Sequence, residues 1–545
     1  MISQVMRWVF GQKMASSRLH DEKLNVFWGM PILSSDAISS VAYAVEEILL
    51  VLVPVLGAAS FLWMPRISGV IILLLLILTF SYRQVVDAYP HGGGAYIVAK
   101  ENLSPLAGLI AGASLSVDYT LTVAVSVCAG TAAITSAIPA LFPDRVAITV
   151  GIIVLLLIGN VRGIKESSRI FAIPTYAFIF SIIALVVAGV LQHPAASVVH
   201  PLIPAAETVP LESQAVLIFL LLRAFASGCS ALTGVEAVSN AVPNFKDPAP
   251  RNAKIVYAML AAAIVVCFGG VAYLANLYHT FPDPQRTVIA QISLDVFGPG
   301  VMFYFIQATT AIILAMAANT AFAGFPTLLS VIAQHGYAPR QLALRGHRLN
   351  FNNGITILAI LAVILVIVFQ ADTHLLIGLY AVGVFTSFTL SQTGMLVHWF
   401  RLKSSGWQYK AIINGLGALT TLIAVIIIGF TKFTEGAWIV FVVVPIIVWI
   451  MLRIKHHYES VAQQLDIPND TLGKIQLVAA YSHHVIVPID SLNAMVVKAL
   501  RYARTMSDHV EAFHIETYEG EADKLKQKWA VLNSDIPLII KQSPY

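Results

Sequence analysis

Runs of about 20 mostly apolar residues divide this sequence, and such runs admit few structures. No water reaches the backbone inside a bilayer. Every N–H and C=O must then be paired within a helix or around a closed barrel. Twelve runs begin near residues 26, 66, 106, 146, 170, 214, 255, 300, 354, 373, 409 and 434. Each has the length of a spanning helix and exceeds that of a barrel strand. Composition agrees: 58% of the 545 residues are hydrophobic and 11% are charged, where a soluble domain carries about 25% charged residues. The chain is expected to be a polytopic helical membrane protein and not an enzyme, with residues 1–25 outside the membrane and spans from 26 to 455.

Lysine and arginine set the expected orientation. With the N-terminus inside, eighteen of them, among them Arg7, Lys13, Arg18, Lys165 and Arg348, fall on the inner side. Only Arg66, Arg145, Arg286 and Lys432 fall on the outer side. That asymmetry predicts both termini in the cytoplasm. The net charge of +4 is thereby a topology signal and not a nucleic-acid footprint. Cys128, Cys229 and Cys267 sit inside apolar runs without metal spacing and read as buried thiols. No cleavable leader is expected at the start.

Two runs, numbered as spans in chain order, are interrupted. Span 1 contains Ser34-Ser35-Asp36-Ala37-Ile38-Ser39-Ser40, and span 6 contains Ala226-Ser227-Gly228-Cys229-Ser230-Ala231-Leu232-Thr233-Gly234-Val235-Glu236. They hold corresponding places in two sets of five. Paired breaks of that kind point to an inverted-repeat secondary transporter with a site at mid-membrane. A carboxylate at membrane depth costs roughly 2.5–3.5 kcal/mol on insertion scales, so something should compensate Asp36. The other acids at depth are Glu46, Glu47, Asp118 and Glu236. Asp36 and Tyr43 share a face if the turns between them are regular, and Thr233 and Glu236 share another. Asp118, Thr122 and Ser126 form a polar stripe on span 3, and Tyr380 is a phenol in span 10. Glu46 and Glu47 lie nearer the outer end and read as a solvated mouth. Arg223 pairs with an acid or snorkels.

Carboxylates, hydroxyls and freed carbonyls make an all-oxygen site, which suits an alkali cation and not a transition metal. Residue types do not separate potassium from sodium. Three acids around one cation suggest divided labour: Asp36 and Asp118 hold the ion, and Glu236 carries a coupling proton. His91-Gly92-Gly93-Gly94 lacks the Lys-Ser/Thr of a phosphate cradle and reads as a tight turn.

After a linker at 456–475 the pattern changes. His484–Asp490, His509–Glu516 and Ile536–Ile540 read as strands, and 491–506 and 521–532 as helices. This is a βαβαβ domain over 476–545, short enough that it needs a partner copy or is incomplete.

Tyr89-Pro90-His91-Gly92-Gly93-Gly94-Ala95-Tyr96 with Leu103-Ser104-Pro105, Thr233-Gly234-Val235-Glu236, and Ala338-Pro339 with Arg345 and Arg348 resemble the amino acid–polyamine–organocation transporters over residues 25 to 455. Amino-acid carriers of that superfamily keep glycines in span 1, where this chain has Asp36. Asp36 with Tyr43, Asp118-Tyr119, and a tail opening Val487-Pro488-Ile489-Asp490-Ser491 resemble the KUP potassium uptake family, most closely its KimA-type bacterial members.

The resemblance implies a LeuT-like fold of two inverted five-helix repeats with spans 1 and 6 broken. It implies a plasma-membrane homodimer importing potassium with protons, inhibited by a cyclic dinucleotide such as cyclic di-AMP. Expected potassium contacts are Asp36, Tyr43, Asp118, Tyr119, Thr122, Ser126, Ser230, Thr233 and Tyr380, with Glu236 or Asp118 carrying the proton. The tail resembles a universal stress protein domain, in which Asp490 would meet adenine, with Arg501 or Arg504 at a site shared by paired tails. Rival readings are a polyamine or cationic amino acid carrier and a nutrient-sensing receptor.

Overall fold

The structure is a computed structural model, and it describes residues 23–92, 94–162, 168–192, 214–346, 350–466, 483–516, 520 and 522–542. Residues 1–22 and the expected signals at Lys165, Arg348 and Gly93 lie outside them. The chain forms two compact units, residues 1–461 and 462–545.

In the first unit every apolar run is helical. Span 1 is α1 (Val26–Ser39) and α2 (Val41–Leu56), and α3 is Ser60–Ala88. A short α4 (Ala95–Asn102) precedes α5 (Pro105–Ala137), α6 (Arg145–Arg162) and α7 (Ser168–Gln192). Span 6 is α8 (Gln214–Gly228) and the one-turn α9 (Ala237–Asn240). There follow α10 (Ala249–Leu277), the short α11 (Val288–Phe297), α12 (Val301–Gln334), α13 (Asn352–Val368), α14 (Thr373–Leu402), α15 (Trp407–Thr431) and α16 (Ala437–Leu465). Ten stretches among the described residues are long and apolar enough to cross a membrane; Val26–Ala88 counts as one, and α13 is shorter. Helix α16 runs on to Leu465, so the expected linker from 456 begins as helix.

Side chains supply the helix starts that the backbone cannot pair itself. Asn25 accepts the Trp28 N–H at 2.9 Å, Ser104 accepts that of Ala107 at 3.1 Å, and Asp372 accepts that of His374 at 2.9 Å. Helix α5 is enclosed, packed on α4, α12 and α14. Leu155, Leu191, Val301 and Phe430 on the peripheral helices are exposed, whereas Asp36, Asp118 and Glu236 are buried. This apolar-out, polar-in distribution is the one a membrane solvent selects. The three cysteines are free and buried.

The second unit is a three-stranded parallel sheet in the order β1 (His484–Pro488), β2 (His509–Glu516), β3 (Leu538–Gln542). Helices α17 (Ala494–Met506) and α18 (Asp523–Leu532) form the crossovers. Its core is small: Ile489, Leu500, Ala503, Val510, Ala512, Leu525 and Ile536.

Candidate functional site

The two interrupted spans differ. Span 1 is nearly continuous. Residues 34–39 remain helical and Ser40 alone is a turn, with φ −63° and ψ −19°, so Ser40 and not Asp36 starts the second helix. The expected unwound stretch is thus corrected to a one-residue kink. The physical cause is hydroxyl competition for backbone carbonyls. Ser39 Oγ donates to Asp36 O at 2.8 Å. Ser40 Oγ donates to Ala37 O at 2.6 Å and stands 3.1 Å from Ala231 O of span 6.

Span 6 truly opens. After Gly228 a 3-10 turn covers Cys229–Leu232, and Thr233 is extended at φ −69° and ψ 150°. Gly234 follows at φ +77°, where a side chain is strained. A Cβ there would stand 2.6 Å from Asp36 Oδ2. Thr233 and Glu236 are therefore carried by an unwound turn and not by one helix face. Tyr257 of α10 satisfies the opened backbone: its hydroxyl donates to Val235 O at 2.9 Å and accepts the Ser239 N–H at 3.1 Å. The sequence reading missed Tyr257, whose only signal is a polar-tipped ring in an apolar helix.

Asp118 stands on α5, buried like Asp36 and Glu236. The three carboxylates act on one another electrostatically. Asp36 Oδ1, Asp118 Oδ1 and Glu236 Oε2 have no hydrogen-bond partner, nor do the hydroxyls of Ser34, Ser35 and Ser230. Buried polar atoms are almost always paired, so these unpaired ones, beside the opened span 6, are exceptions. Thr122, one turn after Asp118, shares a 3.0 Å hydrogen bond with the Tyr380 hydroxyl of α14. Tyr43 turns toward Thr233 and feels Asp36. Ser126 is buried one turn further along α5. Tyr119 accepts from Asn240 Nδ2 at 3.2 Å, and Tyr82, absent from the expected set, feels Glu236 and faces Ser391.

No three His, Cys, Asp or Glu side chains among the described residues converge as a metal cluster.

The amino acid permease family profile matches residues 27–452. The chain belongs to that family. A second profile, the KimA potassium transporter C-terminal domain, matches residues 481–545. The chain is 42% identical to the potassium transporter KimA of Bacillus subtilis, over 100% of this chain and 88% of the relative. It is 23% identical to the low-affinity putrescine importer PlaP of Escherichia coli, over 51% of this chain and 60% of that protein. A manganese transporter of Eremococcus coleocola aligns at TM-score 0.42 and 13% identity, covering 79% of this chain and 93% of that one.

The remaining acids of this permease are placed differently. Glu46 and Glu47, expected in a solvated mouth, are buried at 5% and 3% exposure. Glu46 Oε2 accepts the Val288 N–H at 3.3 Å, and Glu47 is paired with His374 Nδ1. Burial follows because α2 is packed between α8, α10 and the start of α11. Arg223 is paired with Glu435, which also meets Lys432 at 2.5 Å.

In the tail, Asp490 follows the carboxyl end of β1 and is exposed. Arg501 and Arg504 lie in the last turns of α17, which returns toward the opposite edge of the sheet. Arg504 is engaged with Asp535 and donates to Asp508 O at 2.8 Å. One copy of the domain does not bring Asp490 and Arg504 together, because a 13-residue helix spans about 20 Å.

Proposed function

We propose that the chain imports potassium in symport with protons across the cell membrane. The cation sits between α1/α2, α5, the opened span 6 and α14. One observation carries the reading: Asp36, Asp118 and Glu236 each bury an oxygen that nothing in the protein pairs. The likeness to the Bacillus potassium transporter supports potassium as the cargo. In this reading all twelve apolar runs cross the membrane as an inverted five-plus-five repeat and two further helices, with both termini in the cytoplasm.

Potassium is held by Asp36 and Asp118 with Tyr43, Tyr119, Thr122, Ser126, Ser230, Thr233 and Tyr380 in reach during the cycle. Glu236 sits at the turn that the unwound segment makes and takes the coupling proton, since three carboxylates with no protein cation among them are balanced by cargo or by a proton. The tails pair two copies, and a cyclic dinucleotide bound between them slows uptake. A parallel sheet offers ligands its carboxyl edge, where Asp490 stands.

The test is rubidium uptake and growth at low potassium in a host stripped of its own potassium uptake. The wild-type chain restores both, and Asp36→Asn does not. Failure of the wild-type chain, with competent putrescine uptake instead, overturns the reading. Full proton dependence in Glu236→Gln removes Glu236 from its role. Calorimetric titration with cyclic di-AMP that shows no heat removes the regulator.

A further inference from the structure

Glu46, Glu47 and His374 form a cluster that the cation site does not use. It joins three elements. Glu46 and Glu47 are the third and fourth residues past Tyr43 on α2, His374 is the second residue of α14, and Val288 opens α11. His374 reaches both acids: Nδ1 is paired with Glu47, and Nε2 lies 4.0 Å from Glu46 Oε1. The acids are buried, while the imidazole side chain is 41% exposed. A proton can therefore enter or leave at the ring without disturbing the acids first.

The surroundings make the ring's charge decisive. The other groups facing the cluster are anionic: Asp283 acts on Glu46, and the α14 cap Asp372 acts on His374. Three arginines of the membrane unit are engaged elsewhere, and Arg286, two residues before Val288, is bridged through its backbone to Asp283. Arg223 of α8 is held by Glu435, Arg145 of α6 donates to Gln370 O at 3.1 Å, and Arg66 of α3 lies over Trp63. A doubly protonated ring donates to Glu47 and sets a positive charge 4.0 Å from Glu46. A singly protonated ring donates to one of them and leaves the other carboxylate buried beside its neighbour with the Val288 N–H as its remaining support. Two buried like charges repel strongly where the dielectric is low.

We propose that Glu46, Glu47 and His374 are a proton-operated clasp, in which the imidazolium ring holds the second half of span 1 against the start of α14 and its deprotonation frees that end. The proton passes between the ring nitrogen and water on the exposed side, and no other bond changes. The clasp rests on the transporter reading for its purpose, not for its geometry: it lets protons at this face close the protein over its cargo.

The experiment reads the clasp without transport. In purified protein with Cys128, Cys229 and Cys267 replaced by alanine, a single Val288→Cys reports the packing of α11 on α2. Its iodoacetamide labelling rate is measured at about pH 6.5 and pH 10, because an imidazolium held by carboxylates keeps its proton to higher pH than a free histidine, and divided by the rate for the denatured protein at the same pH. The clasp predicts about tenfold faster normalised labelling at the higher pH. His374→Gln should label equally fast at both values, and His374→Lys equally slowly at both. If His374→Gln does not fold, the lysine variant decides, since a fixed charge must abolish the pH dependence. Equal labelling at the two pH values in the His374 protein, or pH dependence kept in either variant, overturns the proposal. Uptake that fails while labelling behaves as predicted would remove the transport reading and leave the clasp.

Discussion

Two regions of the membrane unit hold carboxylates out of full solvent contact and treat them in opposite ways. At the Arg223, Glu435 and Lys432 cluster, and at Glu46, Glu47 and His374, each acid has a cationic or cationisable partner. At Asp36, Asp118 and Glu236 no such partner is present among the described residues, and one oxygen of each is left unpaired. Burial alone therefore does not distinguish the two regions; compensation does, and buried charges are ordinarily compensated.

The largest expected effect comes from breaking that distinction at the centre. Asp118→Asn removes a charge that only cargo balances, so rubidium affinity should fall roughly 100-fold, about 2.7 kcal/mol, with thermal stability kept or raised. Glu435→Gln should behave oppositely, leaving Arg223 and Lys432 without their acid. Stability should fall by about 1–2 kcal/mol, since Lys432 is buried while Arg223 is half-exposed, with little change in rubidium affinity. A thermal melt in parallel with rubidium binding separates the two; matching losses in both variants would dissolve the comparison.

Gly234→Ala tests whether the opening of span 6 is required. Its φ of +77° and the 2.6 Å approach to Asp36 predict about 1–3 kcal/mol of destabilisation and loss of uptake. Tyr257→Phe leaves Val235 O and the Ser239 N–H unpaired. It should cost about 1–3 kcal/mol, seen as a lower melting temperature that saturating rubidium partly restores. The smallest effect belongs to the tail: Arg504→Ala, at an exposed pair with Asp535, should shift stability by no more than about 1 kcal/mol.

Much of this was legible because membrane solvent writes strong patterns. The apolar runs gave the helices, and the tail strand His509–Glu516 coincides with β2. The resemblance of the tail opening to KimA-type transporters agrees with the matched C-terminal domain. What sequence could not show is who pairs with whom. Ser34–Ser40 and Gly228–Glu236 look equally disruptive in one dimension. Only the second opens, because Gly234 can adopt a positive φ and Tyr257, some twenty residues on, supplies both hydrogen bonds. Glu46 and Glu47 looked solvated because His374 is more than three hundred residues away.

Equilibrium binding of radioactive rubidium to the purified protein tests the central claim most directly, with Asp36→Asn and Asp118→Asn beside the wild type. The unpaired oxygens predict saturable binding to the wild type, displaced by potassium and lost in both variants. Saturable binding that survives in both would show that the cation sits elsewhere and that these buried acids serve another purpose.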